Sequence, residues 1–381
     1  MIHLINVIGA RPQIIKAAAI HRAIANHFRE QIREVIVHTG QHYDHNMSRV
    51  FFEELGIPQE DVNLEVGSLS HAKQTAAIMT RMEDLLLEGK PDAVVVYGDT
   101  NSTLAASLAA AKIHIPVIHI EAGLRSFNKT MPEEINRLVC DQVSTLLFAP
   151  TKTAVDNLVH EGFEIESGKP YSIDRPGIFL SGDVMFDNTL YFGTLAEQHE
   201  GKLNTFGLRK GEYALVTIHR DNNTDDPRRL SQIFQGILEL SETAQLRCLV
   251  PLHPRTAKIL NSSFNEDLLK NIRNSRWIRI TEPLSFLEMS LCEKYARIVL
   301  TDSGGVQKEA FFHRKPCVIL RSETEWVEIV ASGTAALADA DSRKIVELSL
   351  GFLKNPPQEF PAFFGEGDSA GFICRKIIDS F

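Results

Sequence analysis

With 381 residues, 44% hydrophobic and 23% charged, the chain is globular in composition and longer than one hydrophobic core usually organises, so two domains are expected. A net charge of -9 and a pI near 5.9 argue against a general nucleic-acid binder. No apolar run reaches membrane-spanning length, and the opening MIHLINVIGARPQ lacks the basic lead and cleavage site of a signal peptide. The five cysteines (Cys140, Cys248, Cys292, Cys317, Cys374) are widely spaced and form no CxxC. They are expected to be reduced core residues of a cytoplasmic protein.

Short apolar, β-branched runs alternate with helical patterns, the signature of βα units and parallel sheets. In the first half the expected strands are Ile2–Ile8, Arg33–His38, Ala93–Tyr97, Pro116–Ile120 and Thr145–Ala149. Helical stretches lie near Gln13–Asn26, His45–Leu55, Ala72–Leu87, Ser102–Ile113 and Glu133–Leu138. The second half repeats the theme, with strands at Ile178–Ser181, Tyr213–Ile218, Arg247–Val250, Trp277–Ile280, Arg297–Thr301 and Pro316–Leu320. The fold class expected is α/β, with two Rossmann-like doubly wound domains facing a central cleft. A boundary is expected in Glu166–Pro176 (ESGKPYSIDRP), giving domains 1–170 and 171–367. A last helix from about 368 is expected to pack back on the first domain.

Ligands of open α/β sheets bind beyond the carboxyl ends of the strands. Gly9-Ala10-Arg11-Pro12 leaves the first strand and opens a helix carrying Lys16. Arg11 and Lys16 either face an anion at the helix start or belong to a plain βα turn with Lys16 in solvent. Asp99 and Glu121 each follow a buried run, where a carboxylate is costly unless partnered. In MPEEINR, Glu133 and Arg137 share a helical face. Thr130-x-x-Glu133 also has the form of a capping box, the plainer role for that acid. His219 and His253 end two strands of the second half. Thr301-Asp302-Ser303-Gly304-Gly305 joins a buried strand to a helix. Its bare amides suit a diphosphate, or the glycines simply allow close packing. Glu309 on that helix is placed to reach ribose hydroxyls, and Arg321 ends the next strand.

Together the segments GARPQIIK, TGQH, YGDT, HIEAGLRS, MPEEINR, TIHR, ITEPL, TDSGGVQKEA and LRSETE resemble the non-hydrolysing UDP-N-acetylglucosamine 2-epimerases, in order and over nearly the whole chain. The resemblance implies a GT-B-like architecture and a reversible elimination. The C2 proton is removed, UDP departs to leave a 2-acetamidoglucal, and UDP adds back with the opposite C2 configuration. It implies no nicotinamide or metal cofactor, a UDP-sugar as ligand, and a homodimer without nucleic-acid or membrane partners. It also implies that Asp99, Glu121 and Glu133 are the acid/base carboxylates and that Arg11, Lys16, Arg137 and His219 orient the sugar and stabilise UDP. Ser303, Gly304, Gly305 and Glu309 are implied to hold diphosphate and ribose, with Arg321 near the nucleotide; His253, placed at a strand end like His219, is expected to bind substrate.

The chain departs from the family pattern at Trp326-Val327, where Arg-Pro is usual, and at Gly40-Gln41-His42-Tyr43-Asp44. The sugar's substituents at C3 and C6 are therefore open, and a 2,3-diacetamido uronate or a 6-deoxy sugar is the alternative substrate. A hydrolysing epimerase and a GT-B glycosyltransferase are the rival activities.

Overall fold

The computed structural model describes residues 1–41, 56, 58–165, 168–252, 254–262 and 265–381. The expected helix His45–Leu55 and His253 lie outside the described residues. The chain forms two compact units, one of Met1–Asn188 with Ala362–Phe381, the other of Thr189–Pro361.

The first unit holds a seven-stranded sheet of β1 (Ile2–Ile8), β2 (Ile32–His38), β3 (Val62–Asn63), β4 (Ala93–Tyr97), β5 (Val117–Ile120), β6 (Leu146–Ala149) and β7 (Gly177–Leu180). Its order is β3-β2-β1-β4-β5-β6-β7 and every pairing is parallel. The second unit holds six strands: β8 (Tyr213–Thr217), β9 (Arg247–Pro251), β10 (Ile278–Thr281), β11 (Ile298–Thr301), β12 (Cys317–Ile319) and β13 (Ala335–Leu337). Their order is β10-β9-β8-β11-β12-β13, again all parallel. In both sheets the winding reverses once, between β1 and β4 and between β8 and β11. These switch points leave a crevice at the carboxyl ends of the strands.

Both sheets are covered on two faces, so their strands read as continuous apolar runs rather than alternating ones. Ala93–Tyr97 and Ile298–Thr301 are buried throughout. In the first unit the helices α1 (Arg11–Ala23), α2 (His71–Gly89), α3 (Asn101–Lys112), α4 (Pro132–Val143) and α5 (Lys152–His160) flank the strands. Ala105, Ala106, Ala109 and Ala110 let α3 lie close to the sheet, where Ile78, Met82 and Leu86 of α2 join the same core. Helix α6 (Val184–Glu197) follows β7. The second core rests on α7 (Pro227–Thr243), started by Pro227 and by Asp226, which accepts the Arg228 and Arg229 amides. Its Leu230, Ile233, Phe234, Ile237 and Leu240 make one buried stripe at helical spacing.

Two expectations need correction. Residues 166–176 do not separate the units, because β7 beyond them pairs with β6 as the seventh strand of the first sheet. The polar, Pro- and Gly-containing stretch 168–176 is a surface loop inside that unit, and the division falls within α6. The chain also returns earlier than expected: Ala362–Phe381 belongs to the first unit, and its helix α10 (Ser369–Ser380) packs against α1. The second unit also holds α8 (Gly304–Phe312) and α9 (Ser342–Lys354). All five cysteines are free and buried. No helix among the described residues is long and apolar enough to cross a membrane.

Candidate active site

In the first unit, β1 ends in Gly9, and α1 starts at Arg11 with Pro12 in its first turn. Arg11 is exposed at that helix start. Gln13 secures the turn: its carbonyl oxygen accepts the Gly9 and Ala10 amides at 2.9 and 3.2 Å. Its amide donates to the Tyr97 carbonyl at 3.0 Å, tying α1 to the end of β4. Lys16 is not in solvent. Its side chain is 11% exposed and pairs with the equally buried Glu121 carboxylate.

Beyond β4, Gly98 adopts φ +59°. A side chain there would meet Glu121 Oε2 at 3.0 Å and Lys16 Nζ at 3.1 Å, so the ion pair lies directly on this glycine. Asp99, the next residue, accepts from Arg137 Nη2 at 2.6 Å and Nε at 3.0 Å. Asn136 donates to the Asp99 carbonyl at 2.8 Å. Thus Asp99, Glu121, Lys16 and Arg137 gather around one glycine at the switch of the first sheet.

Glu133 behaves differently from expectation. It is exposed, whereas Glu134 is buried and binds Arg137 Nη1 at 2.7 Å. Glu134 also accepts the Ser126 amide at 2.9 Å, the Ser126 hydroxyl at 3.0 Å and the Phe127 amide at 2.9 Å. Burial alone would raise its pKa, but the Ser126 bonds and the Arg137 guanidinium hold it below the usual range. The expected capping box is absent: Met131 is the N-cap of α4, and the Thr130 hydroxyl donates to Asn128 Oδ1 at 2.6 Å. The helix starts one residue later than a Thr130 cap would require.

A second buried network supports these residues and was not foreseen. His119, inside β5, places Nδ1 at 2.7 Å from Asp141 Oδ1 and Nε2 at 2.8 Å from the Gly98 carbonyl. Asp141 also accepts from Arg125 at 2.7 Å and from the Gly123 amide at 3.1 Å. The available signal was a histidine in an otherwise apolar strand run, VIHI, an unusual place for a polar ring unless it has partners.

The second unit repeats the βα grammar with different chemistry. Asp302, fully buried beyond β11, accepts the His219 amide at 3.1 Å, the Arg220 amide at 3.1 Å and Asn223 Nδ2 at 3.0 Å. His219 Nδ1 lies 3.2 Å from Asp302 Oδ1, while 47% of the His219 side chain remains exposed. Burial would raise the Asp302 pKa; the His219 and Asn223 hydrogen bonds outweigh it and lower the value.

Ser303 is the N-cap of α8, accepting the Val306 amide, and Gly304 and Gly305 form its first turn. A methyl group on either glycine would meet nothing closer than 3.6 Å. Close packing within the unit is therefore not why they are glycines. The Gly304 carbonyl accepts Trp326 Nε1–H at 3.0 Å, which gives the departure at Trp326 a structural role. Glu309 shares a hydrogen bond with the buried Glu293. Burial, then the Glu309 charge, pushes Glu293 well above the usual carboxylate range. Arg321 pairs with Glu325 at 2.9 Å.

Two all-parallel sheets with switch-point sites of this kind define a GT-B-like α/β protein. Residues 25–378 match the family described as UDP-N-acetylglucosamine 2-epimerase, and the chain belongs to that family. It is 43% identical to the UDP-2,3-diacetamido-2,3-dideoxy-D-glucuronate 2-epimerase of Pseudomonas aeruginosa, over 98% of this chain and 99% of that protein. It is 41% identical to the UDP-N-acetylglucosamine 2-epimerase of Methanocaldococcus jannaschii, over 97% of each. The crystal structure of the M. jannaschii UDP-GlcNAc 2-epimerase in complex with UDP-GlcNAc and UDP has a TM-score of 0.83 and 39% identity, covering 99% of both chains.

Proposed function

We propose that this chain is a non-hydrolysing 2-epimerase that interconverts UDP-N-acetylglucosamine and UDP-N-acetylmannosamine. The observation that carries the reading is the pairing of two strand-end carboxylates, Asp99 and Glu121, each with its own cation, in a chain of this family. Epimerisation through a 2-acetamidoglucal needs one group to take the C2 proton and another to return a proton to the opposite face. Asp99 is assigned the first task and Glu121 the second, with Glu133 retained as a third acid/base candidate on the exposed face of α4. As the C1–O bond breaks, its electron pair leaves with UDP and the C2–H pair forms the C1–C2 double bond. Arg11, Lys16 and Arg137 supply positive charge to that departure.

The second unit is assigned the nucleotide. Ser303, Gly304 and Gly305 present amides to the diphosphate, Glu309 faces the ribose, and His219, Arg321 and His253 complete the set. We place the enzyme in the cytoplasm as a homodimer supplying surface-polysaccharide synthesis, in keeping with its free buried cysteines.

A second reading changes only the substrate. The 43% identity to the P. aeruginosa diacetamido-glucuronate epimerase favours a sugar with a second acetamido group and a C6 carboxylate. One experiment separates the readings: proton NMR with UDP-N-acetylglucosamine in D2O, without acceptor or metal. The expected result is loss of the C2 proton signal and a new nucleotide-linked anomeric signal. Free N-acetylmannosamine in place of that signal indicates hydrolysis. An unchanged spectrum moves the assignment to the diacetamido uronate, and turnover only with an added acceptor moves it to glycosyl transfer.

A further inference from the structure

The turn that carries Glu121 is strained. Glu121 itself has φ +72°, in the left-handed region that a side chain disfavours, and Gly123 follows at φ +78°. Such a conformation persists only where its surroundings over-determine it. The Glu121 and Ala122 amides both donate to the Phe148 carbonyl, at 3.1 and 3.0 Å. Gly123 is fixed twice more: its amide reaches Asp141, and a side chain at this position would lie 2.3 Å from the Ala154 carbonyl. On the neighbouring strand end, Gly98 donates its amide to the Ile120 carbonyl at 3.0 Å and gives its carbonyl to His119.

His119 thus bonds the Asp99 loop and, through Asp141, also holds the Glu121 loop. Its charge follows from the partners. A carbonyl oxygen accepts only, so Nε2 carries a proton. Asp141 takes hydrogen bonds from Arg125 and Gly123 on its other oxygen, as a carboxylate does, so Nδ1 carries one as well. Arg125 in turn binds Glu161 through Nε at 2.7 Å and Nη2 at 2.6 Å. His119, Asp141, Arg125 and Glu161 form a chain of alternating charge that sums to zero. The other titratable group against the ring is the Cys140 thiol, on the same helix as Asp141.

We propose that His119 is a positioning residue of the site, held permanently as an imidazolium that fastens the Asp99 and Glu121 loops to one another through Gly98, Asp141 and Gly123. Burial opposes the charge, and Cys140 and Asp141 outweigh it, leaving His119 protonated well above the usual histidine range. Its activity readout rests on the epimerase reading, whereas its charge and its hold on the loops do not.

The test uses the full chain. Nitrogen-15 NMR of the wild type at about pH 8, where a free imidazole is neutral, is expected to show two protonated ring nitrogens that vanish in His119→Gln. In Asp141→Asn the ring is expected to become neutral and the Gly123 amide to exchange faster. In the C2-exchange assay both variants are expected to lose about tenfold or more in kcat, with KM within about threefold. In His119→Gln the acidic limb of kcat/KM is expected to move up by roughly half a pH unit, because a cation is gone while Asp141 keeps its charge; in Asp141→Asn, where cation and anion disappear together, the limb is expected to stay. A purely architectural histidine would scale the profile without moving it, and that result overturns the proposal. A neutral wild-type ring, or an unchanged Gly123 amide in Asp141→Asn, overturns it too, even if UDP-N-acetylglucosamine proves not to be the substrate.

Discussion

The strand ends at the two switch points use one backbone plan and opposite electrostatics. In the first unit the carboxylates beyond β4 and β5 are matched by side-chain cations, Arg137 for Asp99 and Lys16 for Glu121, within a largely buried set. In the second, a single buried carboxylate, Asp302, spends its oxygens on the amides of 219 and 220 and on Asn223, and the α8 start offers uncovered amides with two glycines. The first arrangement is suited to moving protons, since each acid is held in place by a cation at a strand end. The second is suited to holding a fixed anion, because backbone amides carry no proton to lose.

The sharpest test of that contrast is chemical. Asp99→Asn and Glu121→Gln are each expected to slow C2-proton exchange by about a thousandfold while changing KM little, in the D2O assay. A comparable loss of kcat in Ser303→Ala would break the comparison, since the second region is assigned binding alone. Next in size is the cost of an orphaned charge. Lys16→Met leaves Glu121 buried without its cation and is expected to cost about 3 kcal/mol by urea denaturation. Arg321→Met, beside the more exposed Glu325, is expected to cost about 1 kcal/mol or less.

Gly305→Ala separates fold from ligand. The added methyl has room and improves helix propensity, so stability is expected to hold or rise by up to about 1 kcal/mol. UDP affinity by calorimetry is expected to fall about tenfold, and unchanged affinity would remove the diphosphate from α8. The last contrast is in pH dependence, where two aspartates oppose each other. Asp302 has a lowered pKa, so its stabilisation is present above the unfolded value near 4 and is lost as pH falls through the folded one. Asp187 is raised to about 6, chiefly by burial, against the amides of Ala370 and Ser369. Its contribution is complete below about pH 4 and lost as pH rises through about 6. Asp302→Asn is therefore expected to flatten the acid limb of the stability curve, and Asp187→Asn the stretch between about pH 4 and 6, as read by urea denaturation across that range.

Much of the first region was legible because a carboxylate after a buried β-branched run has few affordable explanations. Asp99 and Glu121 stood out for that reason, and the doubly wound fold followed from the same runs. Glu134 did not, since two adjacent glutamates point about 100° apart on a helix and only the Ser126–Phe127 turn decides which one is drawn in. Gln13 was hidden as an ordinary helix residue; its role depends on the Tyr97 carbonyl, far away in sequence. Strands β3 and β13, of two and three residues, are too short to leave a pattern. The expected boundary failed because a loop's composition reports solvent exposure, not which sheet the chain rejoins.

The return of the last twenty residues to the first unit has a consequence for how the protein is made. Asp187 accepts amides from Ser369 and Ala370, which leave the ribosome only after the whole second unit has been translated. At 5–20 residues per second, the unit bearing Asp99 and Glu121 waits roughly 10–35 s for its closing helix. A ribosome that stops one helix early releases a chain whose second unit is whole and whose first is not. The completeness of the first unit is thus tied to translation of the second.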